Sequence, residues 1–132
     1  MVDICAMEPL ESLTPAQRKA ALVFWYQAEV SNGGHFQYFT NSAGVNRLEA
    51  LQALRDIGAK KAADVLSLAI LTVAGSEHSR PSSLEEYVEQ EVDCDLRELD
   101  AEYYKAANAE IQAALLHYLR ANESQFVFWV AQ

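Results

Sequence analysis

The chain contains few of the residues that build metal sites, disulfide frameworks and membrane spans. Its 132 residues include two cysteines and three scattered histidines. No apolar run approaches the roughly 20 residues of a membrane helix, and the first residues lack the basic start and apolar block of a secretory signal. Two cysteines in such a chain are typical of free thiols in a reducing compartment. We therefore expect a cytoplasmic protein without a membrane span, a bound metal or a cofactor.

Glycine and proline are also scarce, with five and three residues, and no segment alternates apolar and polar residues as a half-buried strand does. Thr14, Pro15 and Gln17 combine a capping residue, proline at the first helical position and glutamine at the third, which predicts a helix start. Apolar residues recur at helical spacing through most of the remaining chain. The sequence predicts an all-α, single compact helical domain of about five to seven helices. It spans residues 14–125, between an N-terminal extension (1–13) and an apolar tail (126–132).

The stretch "SNGGHFQYF" at residues 31–39 admits three interpretations: a phosphate-binding loop, a catalytic loop or a turn. A phosphate loop normally follows a strand and carries a lysine, whereas this stretch follows a predicted helix and has none. Catalysis by His35 requires a nucleophile and an orienting acid, which a single sequence does not show. We favour a turn, because Gly33 and Gly34 tolerate the positive φ found where helices end. We predict no catalytic residue, no metal ligand and no enzymatic activity.

Four segments in order resemble the family of the DNA-mimic protein nineteen. They are the signature from Glu29 to Gly44, then "ALRDIGA" at 53–59, "LDAEYY" at 99–104 and "YLRAN" at 118–122. The match departs from the signature at Thr40, where an aromatic residue is common. The resemblance implies an acidic, dimeric, mostly helical protein that occupies the DNA-binding surface of a transcriptional regulator. Its signature residues are predicted to be scaffold: Asn32, Gly33, Gly34, Gln37, Asn41 and Gly44.

The negative charge is concentrated in one segment. Residues 85–102 hold nine acids and one base, a net charge of −8, whereas residues 1–84 have a net charge of −1 and residues 103–132 of zero. Acids four residues apart on a helix lie about 6 Å apart along the axis, similar to phosphates along a DNA strand. The predicted partner-binding residues are Glu85, Glu86, Glu89, Glu91, Asp93, Asp95, Glu98, Asp100 and Glu102.

Two interpretations of this acidic segment, residues 85–102, stay open. In the first, it occupies the basic surface of a DNA-binding protein such as a transcriptional regulator, while the chain itself binds no nucleic acid. In the second, the chain is a helical assembly or interaction domain, and the acids serve only solubility. A calcium site around Asp93 and Asp95 is disfavoured, because the EF-hand order of ligands is missing. We also expect a homodimer that uses apolar surface, with the tail around Phe126, Phe128 and Trp129 as a candidate.

Overall fold

The structure, a computed structural model, describes residues 12–76 and 96–124. Within these ranges 91% of the residues are helical and none lies in a strand, which confirms the all-α class. Helix α1 spans Pro15–Thr40, α2 spans Arg47–Asp56 and α3 spans Lys60–Ser76. Helix α4 consists of three consecutive segments: Arg97–Glu102, a π-helical turn at Tyr103–Ala107, and Asn108–Ala121. A 3₁₀ turn, Ser42–Asn46, joins α1 to α2.

The described ranges therefore contain four helices, fewer than the five to seven predicted. One reason is that helical hydrogen bonding resumes directly after Gly33 and Gly34, so that two predicted helices form one kinked helix, α1. The predicted helix beginning at Ser82 or Ser83 lies outside the described residues. The apolar tail and residues 1–11 of the predicted extension also lie outside them.

Helix α1 begins where its capping signals predict. The Thr14 hydroxyl accepts a hydrogen bond from the Gln17 backbone N–H at 3.2 Å, and the Gln17 side chain accepts one from the Thr14 N–H at 3.1 Å. This reciprocal pair satisfies two backbone donors that have no partner within the helix. Pro15 occupies the first turn, where its missing N–H costs nothing.

The four helices pack in a closed order around one main core. Helix α1 packs on α2 and α4, and α3 packs on the same two helices. None of the four, over the residues described, has the length and apolarity to cross a membrane. The largest fully buried side chains include three tyrosines and a histidine, so polar groups lie deep inside the bundle: Tyr26, His35, Tyr38 and Tyr103, with Leu54, Leu66 and Ile111.

The π turn allows α4 to keep one face inward. Its buried residues Tyr103, Ala107, Ile111 and Leu115 recur strictly every four positions. In a regular α-helix a spacing of four rotates the face by roughly 40° per step, because 3.6 residues complete a turn. A π turn holds an extra residue and offsets part of this drift. The same local widening positions Tyr103 and Tyr104 against α1.

Candidate functional site

The break in α1 is formed by the glycine pair. Gly33 has φ −151° and ψ 15°, whereas Gly34 has φ 83° and ψ 178°, a conformation that is essentially restricted to glycine. Gly34 is also buried, and a Cβ at this position would lie 2.6 Å from Oδ2 of Asp100. The chain therefore needs glycine at position 34 both for its backbone angle and for the close approach of α4.

The first turns of α4 satisfy backbone groups at this break. The carboxylate of Asp100 accepts a hydrogen bond from the His35 backbone N–H at 2.8 Å. The Tyr104 hydroxyl lies 3.0 Å from the carbonyl oxygens of both Val30 and Ser31 and can donate to either. In an unbroken helix the His35 N–H would bond to the Ser31 carbonyl. Asp100 thus accepts from the His35 N–H in place of the Ser31 carbonyl, and the Tyr104 hydroxyl can donate to the Ser31 carbonyl in place of the His35 N–H.

A chain of hydrogen bonds connects Asp100 to the centre of the bundle. Asp100 Oδ1 lies 2.7 Å from His35 Nδ1, and His35 Nε2 lies 2.7 Å from the Tyr26 hydroxyl. An ionised carboxylate only accepts, so Nδ1 carries a proton, and Nε2 of a neutral imidazole then accepts from Tyr26. His35 and Tyr26 are completely buried, while the Asp100 side chain is 27% exposed. Burial raises the pKa of Tyr26 well above its usual value, which keeps this donor protonated.

Tyr103 joins the same cluster from the π turn. Its hydroxyl lies 2.8 Å from Ser31 Oγ, 3.1 Å from the Gln27 carbonyl oxygen and 3.2 Å from Asn108 Oδ1. Its ring also packs edge-on against Tyr26, with centroids 5.9 Å apart. No buried side-chain nitrogen or oxygen in the described part of the chain lacks a hydrogen-bond partner. A fully satisfied buried network of this kind fixes the relative position of α1 and α4.

Glu29 connects the two sides of the glycine break from the outside. Its Oε2 accepts from Gln37 Nε2 at 3.0 Å and from Asn41 Nδ2 at 2.6 Å, so one carboxylate bonds to two signature residues. A Cβ on Gly44 would contact the backbone of Tyr38 and Phe39, so this position has no room for a side chain. The remaining signature residue, Asn32, is exposed.

The buried network positions groups and does not present them to a ligand. Its central pair, Tyr26 and His35, has no solvent-accessible surface, so an outside molecule does not reach either side chain. Within residues 12–76 and 96–124 no three His, Cys, Asp or Glu side chains are grouped so as to hold a metal ion. The buried network therefore serves to orient α4 relative to α1.

The structure describes only residues 96–102 of the acidic segment. Glu85, Glu86, Glu89, Glu91, Asp93 and Asp95 lie outside the described residues. Glu98 and Glu102 are exposed on α4, whereas the carboxylate of Asp100 turns inward to His35. Sequence reasoning grouped Asp100 with the surface acids and did not find its contact with His35. The sequence feature that could have indicated this contact is the "LDAEYY" element, which contains Asp100, Tyr103 and Tyr104.

Fold and site define a small all-α protein in which a buried Tyr–His–Asp chain attaches the end of an acidic segment to a kinked central helix. The chain belongs to the DMP19-like protein family, whose family model matches residues 11–122. The matched range includes the network residues of α1, Tyr26 and His35, and those of α4, Asp100 and Tyr103. Neither the curated proteins nor the solved structures include one that matches the chain.

Proposed function

We propose that this protein is an acidic binding protein that mimics DNA and occupies the basic, DNA-contacting surface of another protein through residues 85–102. The observation that carries the proposal is the concentration of charge, −8 in 18 residues of a chain whose total is −9. Membership of the DMP19-like family is consistent with this role. A transcriptional regulator in the cytoplasm is the expected partner, and binding rather than catalysis is the expected activity.

The geometry of α4 supports this proposal at the one end of the acidic segment that is described. Asp100 and Tyr104 hold the first turns of α4 against α1, which orients the exposed carboxylates of Glu98 and Glu102 outward. Pre-oriented charges lose less conformational entropy on binding than charges on a flexible chain. The inward carboxylate of Asp100 then serves the position of its neighbours more than direct contact with a partner.

The second candidate function is an assembly domain in which the acids serve only solubility. It is favoured by exposed large apolar side chains outside the acidic segment, such as Val45, Leu48 and Leu116. Such side chains suit the homodimer that we also propose, although single exposed leucines are common on monomers. The two functions differ in whether removal of acidic charge weakens partner binding.

Capture from native cytosol at low salt, followed by affinity measurements on the captured basic protein, tests the proposal. The double variant Glu98→Gln/Glu102→Gln removes two charges from the acidic segment, and Asp64→Asn/Glu123→Gln removes two exposed charges elsewhere. We expect only the first to weaken binding, and we expect affinity to fall steeply above about 0.15 M salt, where the Debye length is near 8 Å. Equal affinities of both doubles and the parent would favour the solubility interpretation.

A further inference from the structure

The outer face of α2 leaves two large apolar side chains exposed. Val45, in the 3₁₀ turn before α2, is 80% exposed, and Leu48, in the first turn of α2, is 69% exposed. Residues three apart lie on the same side of a helix, so these two side chains are neighbours. We call Val45 and Leu48 the α2 patch. It lies opposite the buried face of the helix, which carries Ala50, Leu51, Ala53 and Leu54.

The end of α4 lies beside α2. The ring centroid of Tyr118, in the last turn of α4, is 6.0 Å from Lys19 Nζ, and the same Nζ is 3.1 Å from Oδ2 of Asp56 in α2. Asp56 and Leu48 are eight residues apart, which corresponds to about 12 Å along α2. The apolar tail (126–132) follows α4, and an extended chain of seven residues spans about 23 Å. The tail is therefore long enough to reach the α2 patch.

A second contact brings the patch itself close to the same turn of α1. Arg18, which precedes Lys19, donates from Nη2 to Oε1 of Glu49 at 2.7 Å, and Glu49 follows Leu48 in the chain. One turn of α1 thus contacts the end of α4 through Lys19 and the first turn of α2 through Arg18. The two ion pairs also neutralise the acids on this side of α2, Glu49 and Asp56, so that the path from α4 to the patch suits an uncharged segment.

The composition of the apolar tail suits such a contact. The tail reads "FVFWVAQ", with three aromatic residues in its first four positions and no charge. Each aromatic side chain can bury about 150–250 Å². Residues 1–11, which precede α1, contain no aromatic residue and three acids, so they fit an apolar patch less well. A short tether gives an effective concentration in the millimolar range, which favours a contact within one chain over a contact between copies at micromolar concentration.

We propose that the apolar tail crosses the first turns of α1 and packs on the α2 patch of its own chain, with its aromatic rings against Val45 and Leu48. The contact removes apolar area of both surfaces from water, which is its driving force. The inference is independent of the proposed function. It assigns the outer face of α2 to the chain's own tail, so that a homodimer would form through other exposed apolar side chains, such as Leu116.

Nuclear magnetic resonance of the full chain, with labelled leucine and valine methyl groups, tests this contact. We expect nuclear Overhauser effects between the Trp129 indole and the Leu48 methyl groups. The variant Phe126→Gln/Phe128→Gln/Trp129→Gln should shift the methyl resonances of Val45 and Leu48 and leave the helix signal in circular dichroism unchanged. Leu48→Gln should shift the Trp129 indole resonance. Leu116→Gln, which changes a 49% exposed leucine on α4, should leave that indole resonance where it is.

Unchanged methyl resonances of Val45 and Leu48 in the triple tail variant would overturn the inference. Overhauser effects from Trp129 to Leu116 in place of Leu48 would overturn it as well. In a mixture of two differently labelled copies, effects that arise only between copies would also reject it, because the tail would then belong to a homodimer interface. If Val2→Gln/Ile4→Gln shifts the patch resonances and the tail variant does not, the patch is covered by residues 1–11 and the inference is wrong. Displacement of DNA from a partner tests the proposed function separately from all of these outcomes.

Discussion

Replacement of Asp100 by alanine tests the connection between α4 and the broken helix α1. The Asp100 carboxylate accepts from two donors of His35, the backbone N–H at 2.8 Å and Nδ1 at 2.7 Å. His35 is completely buried, so both donors would lose their acceptor in a place that water reaches poorly. An unsatisfied buried donor costs about 1–3 kcal/mol, so two cost about 2–6 kcal/mol. Because the Asp100 side chain is 27% exposed, water can replace part of the loss, and we expect Asp100→Ala to lower the free energy of unfolding by about 3 kcal/mol.

Urea unfolding followed by far-ultraviolet circular dichroism measures this loss. Glu98→Ala is the matched control, because it removes an exposed carboxylate from the same turn and should change stability by less than about 0.5 kcal/mol. Asp100→Asn keeps one acceptor oxygen and should lie between the two, which provides a measurement if the alanine variant does not fold. A stability of Asp100→Ala within about 0.5 kcal/mol of the parent would contradict this prediction, since two buried donors would then have lost their acceptor without cost.

Three further perturbations examine other parts of the account. Gly34→Ala should lower the free energy of unfolding by at least about 2 kcal/mol, because it forces alanine to φ 83° and a Cβ against Asp100. Gly33→Ala, at φ −151°, should cost about half as much, because its Cβ meets the Gln37 side chain, whose flexible end can move at the cost of its bond to Glu29; equal losses in urea unfolding would contradict this. Gly44→Ala should cost about 1–3 kcal/mol in the same assay, because its Cβ meets backbone that does not give way, and an unchanged midpoint would reject the contact. Burial raises the pKa of Tyr26 and Tyr38 above the usual 10.0, so above pH 10 the unfolded chain releases protons that the folded chain keeps. The free energy of unfolding should then fall by up to about 1.4 kcal/mol per pH unit for each tyrosine. Ionisation of these phenols, followed at 295 nm, without loss of the helix signal would contradict the raised pKa values.

The sequence predicted local features of the fold well, because local features depend on neighbouring residues. Capping by Thr14 and Gln17 predicted the start of α1, and the helical spacing of the apolar residues predicted the all-α class. Helical spacing alone does not show which apolar residues of α2 are exposed. Leu48 is 69% exposed because α2 buries the stripe formed by Ala50, Leu51, Ala53 and Leu54, which depends on where α1 and α3 pack.

The buried network could not be predicted from the sequence, because it too depends on how distant helices pack. His35 and Asp100 are separated by 65 residues, and no periodicity indicates that two such residues meet. Asp100 was therefore grouped with the eight other acids of its segment. Of the described acids, Glu98 and Glu102 are exposed, whereas the Asp100 carboxylate turns inward to His35. The same packing explains why a glycine pair that resembled a helix end is a kink. Acceptors and donors from α4 complete the broken turn, so that α1 continues on the other side.

Displacement of DNA from the basic partner is the most direct test of the proposed function. Fluorescence anisotropy of a labelled duplex bound to the captured DNA-binding protein can be followed as this protein is added. We expect the parent chain to release the duplex. We expect Glu85→Gln/Glu86→Gln/Glu89→Gln, which keeps side-chain size and helix propensity, to release it only at higher concentration and with a weaker dependence on salt. A ternary complex with the duplex still bound, or equal displacement by the parent and the triple variant, would rule out DNA mimicry by the acidic segment.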